Sequence, residues 1–103
     1  MTPDVTTKAA AAMIASRDAT GPCPRLDGDQ RPQSQTEGYA IQDAIIAQRM
    51  RAGESLGGWK IGCTTATMQE MLGIDSPAGG AVMGGNILTS PAAMPASSTH
   101  NPV

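Results

Sequence analysis

The chain has 103 residues, a formal net charge of −2, 12 glycines, 8 prolines, one tryptophan, one tyrosine and no phenylalanine. That length sets a prior of one domain or less, and alanine carries much of the 40% apolar fraction, so any core is thin and the chain reads as part of a domain or as a subunit that relies on partners. The seven Lys/Arg are scattered without interleaved aromatics, which argues against nucleic acid, and no apolar run reaches membrane-spanning length.

The first element in chain order is a helix from Asp4 to about Asp18, with Asp4 as its N-cap and strong helix formers in "KAAAAMIASR". The same run is too short and too alanine-rich for a secretion signal. "ATGPCPRLDGDQRPQ" follows as a proline-stiffened loop. A second helix opens at Ser34, where Ser34 and Glu37 have capping-box spacing. Ile41, Ala44 and Ile45 form its core stripe, widened by Tyr39, Ile46 and Met50. Arg49 and Arg51 favour the negative end of its dipole, and Gly53 is its C-cap.

"WKIGC" (59–63) then reads as a short core strand with Trp59, Ile61 and Cys63 on one face and Lys60 and Gly62 on the other. Thr64 or Thr65 caps a two-turn helix that runs through Leu72 and buries Met68, Met71 and Leu72. Gly73 ends it, with Ile74 placed for a Schellman-type contact. A second short strand is expected at Gly80–Met83, and 89–103 forms an extended tail. No internal repeat is present.

The candidate chemistry is sparse. "GGAVMGG" lacks the Gly-Lys-Ser/Thr ending of a phosphate loop and is read as a turn between strands. His100 is the only histidine and has no triad partner in a recognisable motif. Cys23 and Cys63 make no CxxC pair, so no zinc pattern exists; they are read as reduced thiols of a cytoplasmic protein. No paired carboxylates suggest a metal site. Lys60 stands out, because an ammonium inside an apolar run is costly to bury unpaired. It is either an edge lysine that snorkels to water or a cleft lysine that meets an anionic substrate and stabilises enolate-like charge.

The ordered set "EGYAIQ", a glycine-rich lead into "KIG", and a Thr-capped "MQEMLGI" followed by "SP" and glycines resembles the 2-keto-4-pentenoate hydratase family of the fumarylacetoacetate hydrolase superfamily. The likeness covers Glu37 to Leu88. It implies hydration of 2-hydroxy-2,4-dienoates to 4-hydroxy-2-oxo acids in aromatic-compound catabolism, with Mg²⁺ or Mn²⁺ as a Lewis acid in full-length members. It also implies a homo-oligomer, Lys60 as the catalytic lysine in the substrate cleft, and Thr64 and Thr65 as substrate-binding residues. Two features depart from the family pattern. An acidic residue expected after the proline falls on Ala78, and the Glu-x-Glu that begins the metal site is expected just past "STHNPV", where the sequence stops.

The resulting expectation is an α/β chain: an N-terminal helical region (1–56), a strand–helix–strand start of a hydratase-like domain (57–88) and a tail (89–103), with the catalytic β-rich domain missing. Alone, the chain should bind no metal and turn over no substrate. The rival expectation is a non-catalytic remnant or an assembly subunit.

Overall fold

A computed structural model describes residues 1–94. Thr2, not Asp4, caps the first helix, α1 (Pro3–Asp18): its Oγ1 accepts the Val5 N–H at 3.3 Å, and the proline takes a position whose N–H would have had no partner. Asp4 falls in the first turn instead, 3.3 Å from Lys8, an exposed i,i+4 pair worth a few tenths of a kcal/mol. At the other end the Thr20 N–H donates to the Arg17 carbonyl and the Gly21 N–H to the Ser16 carbonyl, both at 3.0 Å. This is a Schellman motif with Thr20 at φ +51, the place usually held by glycine.

A loop with a 3₁₀ turn at Gly28–Gln30 leads to α2 (Gln35–Arg51). Ser34 Oγ accepts the Glu37 N–H at 3.2 Å, as the capping box predicts. The reciprocal bond is displaced by one residue, with Glu37 Oε1 accepting the Gln33 N–H at 2.7 Å. The helix stops at Ala52, and Gly53, at φ +99, lies one residue beyond the cap.

The chain divides into two units, one built on Met1–Gly53 and the other on Glu54–Leu88. In the first, Ala9 and Ala10 of α1 pack against Ile41 of α2, with Leu26, Ala44 and Ile45 around them. Two alanines on one side let the helix backbones approach closely. Gln48 Nε2 donates to the Thr7 carbonyl at 3.1 Å, and Arg49 Nη1 meets Asp18 Oδ1 at 2.7 Å, tying the helices together. Tyr39 and Met50 do not widen the core stripe; they are exposed, and only Ile46 is half-buried.

In the second unit, β1 (Leu56–Gly62) pairs antiparallel with β2 (Ala78–Met83), with Lys60 opposite Gly80 and Gly62 opposite Ala78. Gly57 sits at a register irregularity where an added Cβ would come within 2.6 Å of Ile87 Cδ1 and 3.0 Å of Gly84 Cα, so a larger residue would have to displace the Ile87 side chain and crowd the Gly84 backbone. "GGAVMGG" is mainly the second strand, not a turn; its last two residues enter a 3₁₀ turn at Gly84–Asn86.

Between the strands lies α3 (Ala66–Leu72), capped by Thr65. It ends in a second Schellman motif, with Gly73 at φ +71 and the Ile74 N–H donating to the Gln69 carbonyl at 2.9 Å. The apolar side of α3 is not buried: Met68, Met71 and Leu72 are all exposed. The strand is no core strand either, since Trp59 is 58% and Ile61 71% exposed. The periodicity located the apolar faces, but nothing in the described chain covers them. No described helix is long and apolar enough to cross a membrane. The end of the expected tail, with His100, lies outside the described residues.

Candidate functional site

Lys60 sits in the middle of β1, between Trp59 and Ile61, and strand alternation puts it on the opposite face from both. Its partner across the ladder is Gly80. The lysine stem runs over that glycine: a Cβ at Gly80 would meet Lys60 Cε at 3.3 Å and Cγ at 3.7 Å. Lys60 is exposed, and among the described residues no hydrogen bond or ion pair engages its ammonium.

An open depression of about 340 Å³ is lined by Lys60, Ile61, Gly62, Ala78, Gly79 and Gly80. Ala78, the position where a hydratase-like pattern would carry an acid, therefore borders the same hollow as the lysine. The register explains this, since Ala78 lies opposite Gly62, two residues along the strand from Lys60. With alanine there, the depression has one cation from its own lining and no carboxylate.

The strand does not extend to Cys63. That residue adopts φ +56, a left-handed conformation costing a residue with a Cβ about 1–2 kcal/mol, and it turns the chain from β1 toward α3. It is half-buried and lies beyond the end of the strand that carries Trp59 and Ile61. Its carbonyl accepts a hydrogen bond from Gln69 Nε2 at 3.0 Å. Thr64 and Thr65 follow directly. Thr64 is exposed, while Thr65 Oγ1 accepts the Met68 N–H at 3.2 Å, which leaves its hydroxyl proton available to a further acceptor. Neither threonine lines the depression that holds Lys60. The Gln69 bond was not legible beforehand, because its acceptor exists only once Cys63 turns.

The other features lie in the helical unit. An apolar hollow of about 310 Å³ is bordered by Met13, Ile14, Cys23, Pro24 and Ile45, with Arg49 among its lining residues. Glu37 Oε2 pairs with the N-terminal ammonium at 2.9 Å. That hydrogen bond, followed by the one from the Gln33 N–H, holds the Glu37 carboxyl below the ordinary glutamate range. Among the described residues no three His, Cys, Asp or Glu side chains come together to hold a metal ion.

No protein-family model matches the chain. Over 102 residues, 99% of its length, it is 28% identical to 2-keto-4-pentenoate hydratase of Paraburkholderia xenovorans (strain LB400) and equally to 2-keto-4-pentenoate hydratase 3 of Pseudomonas putida. It spans 38% of the length of each of these curated relatives. Among solved structures it superposes on 4-oxalocrotonate decarboxylase from Pseudomonas putida G7, complexed with magnesium and adipate. The TM-score is 0.73 at 17% identity, over 81% of this chain and 32% of that one. The resemblance to the 2-keto-4-pentenoate hydratases is borne out, and the fold is the expected α/β part of a fumarylacetoacetate-hydrolase-like fold.

Proposed function

We propose that this chain supplies the substrate-facing lysine of a hydratase-like lyase. The enzyme would add water to a 2-hydroxy-2,4-dienoate of the 2-oxopent-4-enoate type, giving a 4-hydroxy-2-oxo acid, in the cytoplasmic breakdown of aromatic compounds by a homo-oligomer. The observation that carries this is the similarity to two 2-keto-4-pentenoate hydratases along 99% of the chain, a span that includes Lys60. In this reading the Lys60 ammonium pairs with the substrate's carboxylate or 2-oxo oxygen. It then stabilises the negative charge that builds on that oxygen as the dienol moves its proton. Thr64 and Thr65 offer hydroxyl protons to the same small acid.

The magnesium in the neighbour's complex raises the question of a metal here. Magnesium takes six oxygen ligands, one or two of them protein carboxylates and the rest water or substrate. The depression that holds Lys60 has no carboxylate in its lining and does not fit that ion, so no step is drawn through it. The family's Mg²⁺ or Mn²⁺ would need carboxylates from outside residues 1–94. Alanine at position 78, where the family pattern carries an acid, is the one feature that favours a second reading: a non-catalytic remnant or an assembly subunit.

A chimera separates the two. The chain is joined to the part of the Paraburkholderia hydratase with which it does not align, and turnover is followed by loss of the dienol's ultraviolet absorbance. The enzyme reading expects turnover, and Lys60→Met should lower kcat by roughly a hundredfold while Tm barely moves. A folded, inactive chimera, or an active one indifferent to Lys60→Met, sinks the assignment of Lys60.

A further inference from the structure

Apolar packing does not hold α3 in place. Met68, Met71 and Leu72 are 42%, 74% and 57% exposed, and the helix contains no buried residue. A helix this short is not stable in water through its own backbone bonds. It nevertheless follows a residue in an unfavourable conformation, Cys63 at φ +56. Something must hold that turn against relaxing to extended backbone.

Three hydrogen bonds of Gln69 converge on the problem. Its side-chain amide donates to the Cys63 carbonyl at 3.0 Å in a half-buried setting. Its backbone N–H donates to the Thr65 carbonyl at 3.1 Å, and its own carbonyl accepts the Ile74 N–H at 2.9 Å. One residue thus links the exit from β1, the start of α3 and the end of α3.

We propose that Gln69 is the positioning residue for the chain's exit from the Lys60 strand, at Cys63 to Thr65. Its side-chain amide holds Cys63 in the left-handed conformation and so sets the direction in which Thr64 and Thr65 leave β1. The functional weight of this rests on the reading of those residues as facing the substrate; the conformational claim does not. Without the amide donor, Cys63 relaxes toward extended backbone and carries both threonines away from their present course.

The test uses NMR shifts and amide hydrogen exchange on the full chain. Gln69→Leu should move the Cys63 Cα and Cβ shifts out of the left-handed range. It should also speed exchange at the Met68 and Gln69 amides, which bond to Thr65, by about tenfold, the loss of one ordinary hydrogen bond. Exchange in the β1–β2 ladder stays as in wild type. Adding Cys63→Gly to that variant should restore slow exchange, because glycine holds a positive φ without a Cβ penalty. A purely packing role for Gln69 predicts no such rescue. Gln69→Glu keeps the length of the side chain and its helix propensity but loses the donor, and must reproduce the Gln69→Leu shifts. Wild-type Cys63 shifts in either single variant, or no rescue by Cys63→Gly, overturn the proposal. These signals do not depend on turnover, so a failure of Lys60→Met to affect the chimera would count against the enzyme reading and leave this result standing.

Discussion

The two units solve the same problem with different means. The helical unit closes on itself: two fully buried alanines of α1 meet Ile41 of α2, and a polar tie runs from Gln48 to Thr7. The strand–helix–strand unit buries only Met83 among its hydrophobic residues, while Trp59, Ile61, Met71 and Leu72 stand more than half exposed. A two-stranded sheet is marginal in water without a covered face. Its order comes from ladder bonds, a helix cap, a Schellman turn and the Gln69 clasp. The unit that holds Lys60 is therefore the one whose apolar surface remains to be covered.

The largest expected break in that contrast is Ile41→Ala. It removes most of the one large side chain in the helical core and should cost about 2–4 kcal/mol. In chemical denaturation this should abolish the α1–α2 transition and leave ladder amide exchange in the other unit unchanged. A smaller pair of changes tests the two helix ends against each other. Gly73→Ala places a Cβ at φ +71 and should destabilise α3 by about 1 kcal/mol. Thr20→Gly removes a Cβ at φ +51 and should stabilise α1 by up to about 1 kcal/mol, read as a raised Tm. If both changes destabilise, the left-handed cap of α1 is not strained as described.

Trp59→Ser with Ile61→Ser should move stability by about 0.5 kcal/mol or less, since surface changes rarely do more. Self-association in sedimentation should nevertheless fall, because these side chains are the exposed face of an uncovered sheet. A large loss of stability would mean that this face is packed in the free chain. The smallest effect is confined to the helical unit. Because the folded Glu37 carboxyl titrates below its ordinary value, its contribution is present above that value and disappears as pH falls through the lowered one. Glu37→Gln should flatten the acid limb of the stability profile, and an unchanged limb would remove the N-terminal clasp from the account.

Much of the local structure was legible. Ser34 and Glu37 announced α2 through their spacing, and Gly73 announced the end of α3 through the conformation only glycine adopts cheaply. What failed did so for non-local reasons. The strand starts at Leu56 rather than Trp59 because β2 offers Met83 and Val82 as partners to Leu56 and Gly58, and pairing is invisible to a local pattern. Met68, Met71 and Leu72 were rightly grouped as one apolar side, but periodicity says which side is apolar, not what lies against it. Asp4 yielded the cap to Thr2 because a proline at position 3 suits the first helical turn. At the candidate site Lys60 was conspicuous for its charge alone. Gln69 was not, because its acceptor depends on a backbone turn that no residue type in "GCTT" signals.

Gly80 has a consequence for how ready the lysine is to act. A free lysine side chain loses about 2 kcal/mol of rotamer freedom when its head is fixed, and that loss weakens any contact the ammonium makes. The stem's course across Gly80 is open because that residue presents a hydrogen where every other amino acid presents a carbon, which would come within 3.3 Å of Lys60 Cε. Any larger residue at position 80 would push the stem aside and change which contacts the ammonium can make. The reach of a charge on one strand is thus set by the missing side chain on the next.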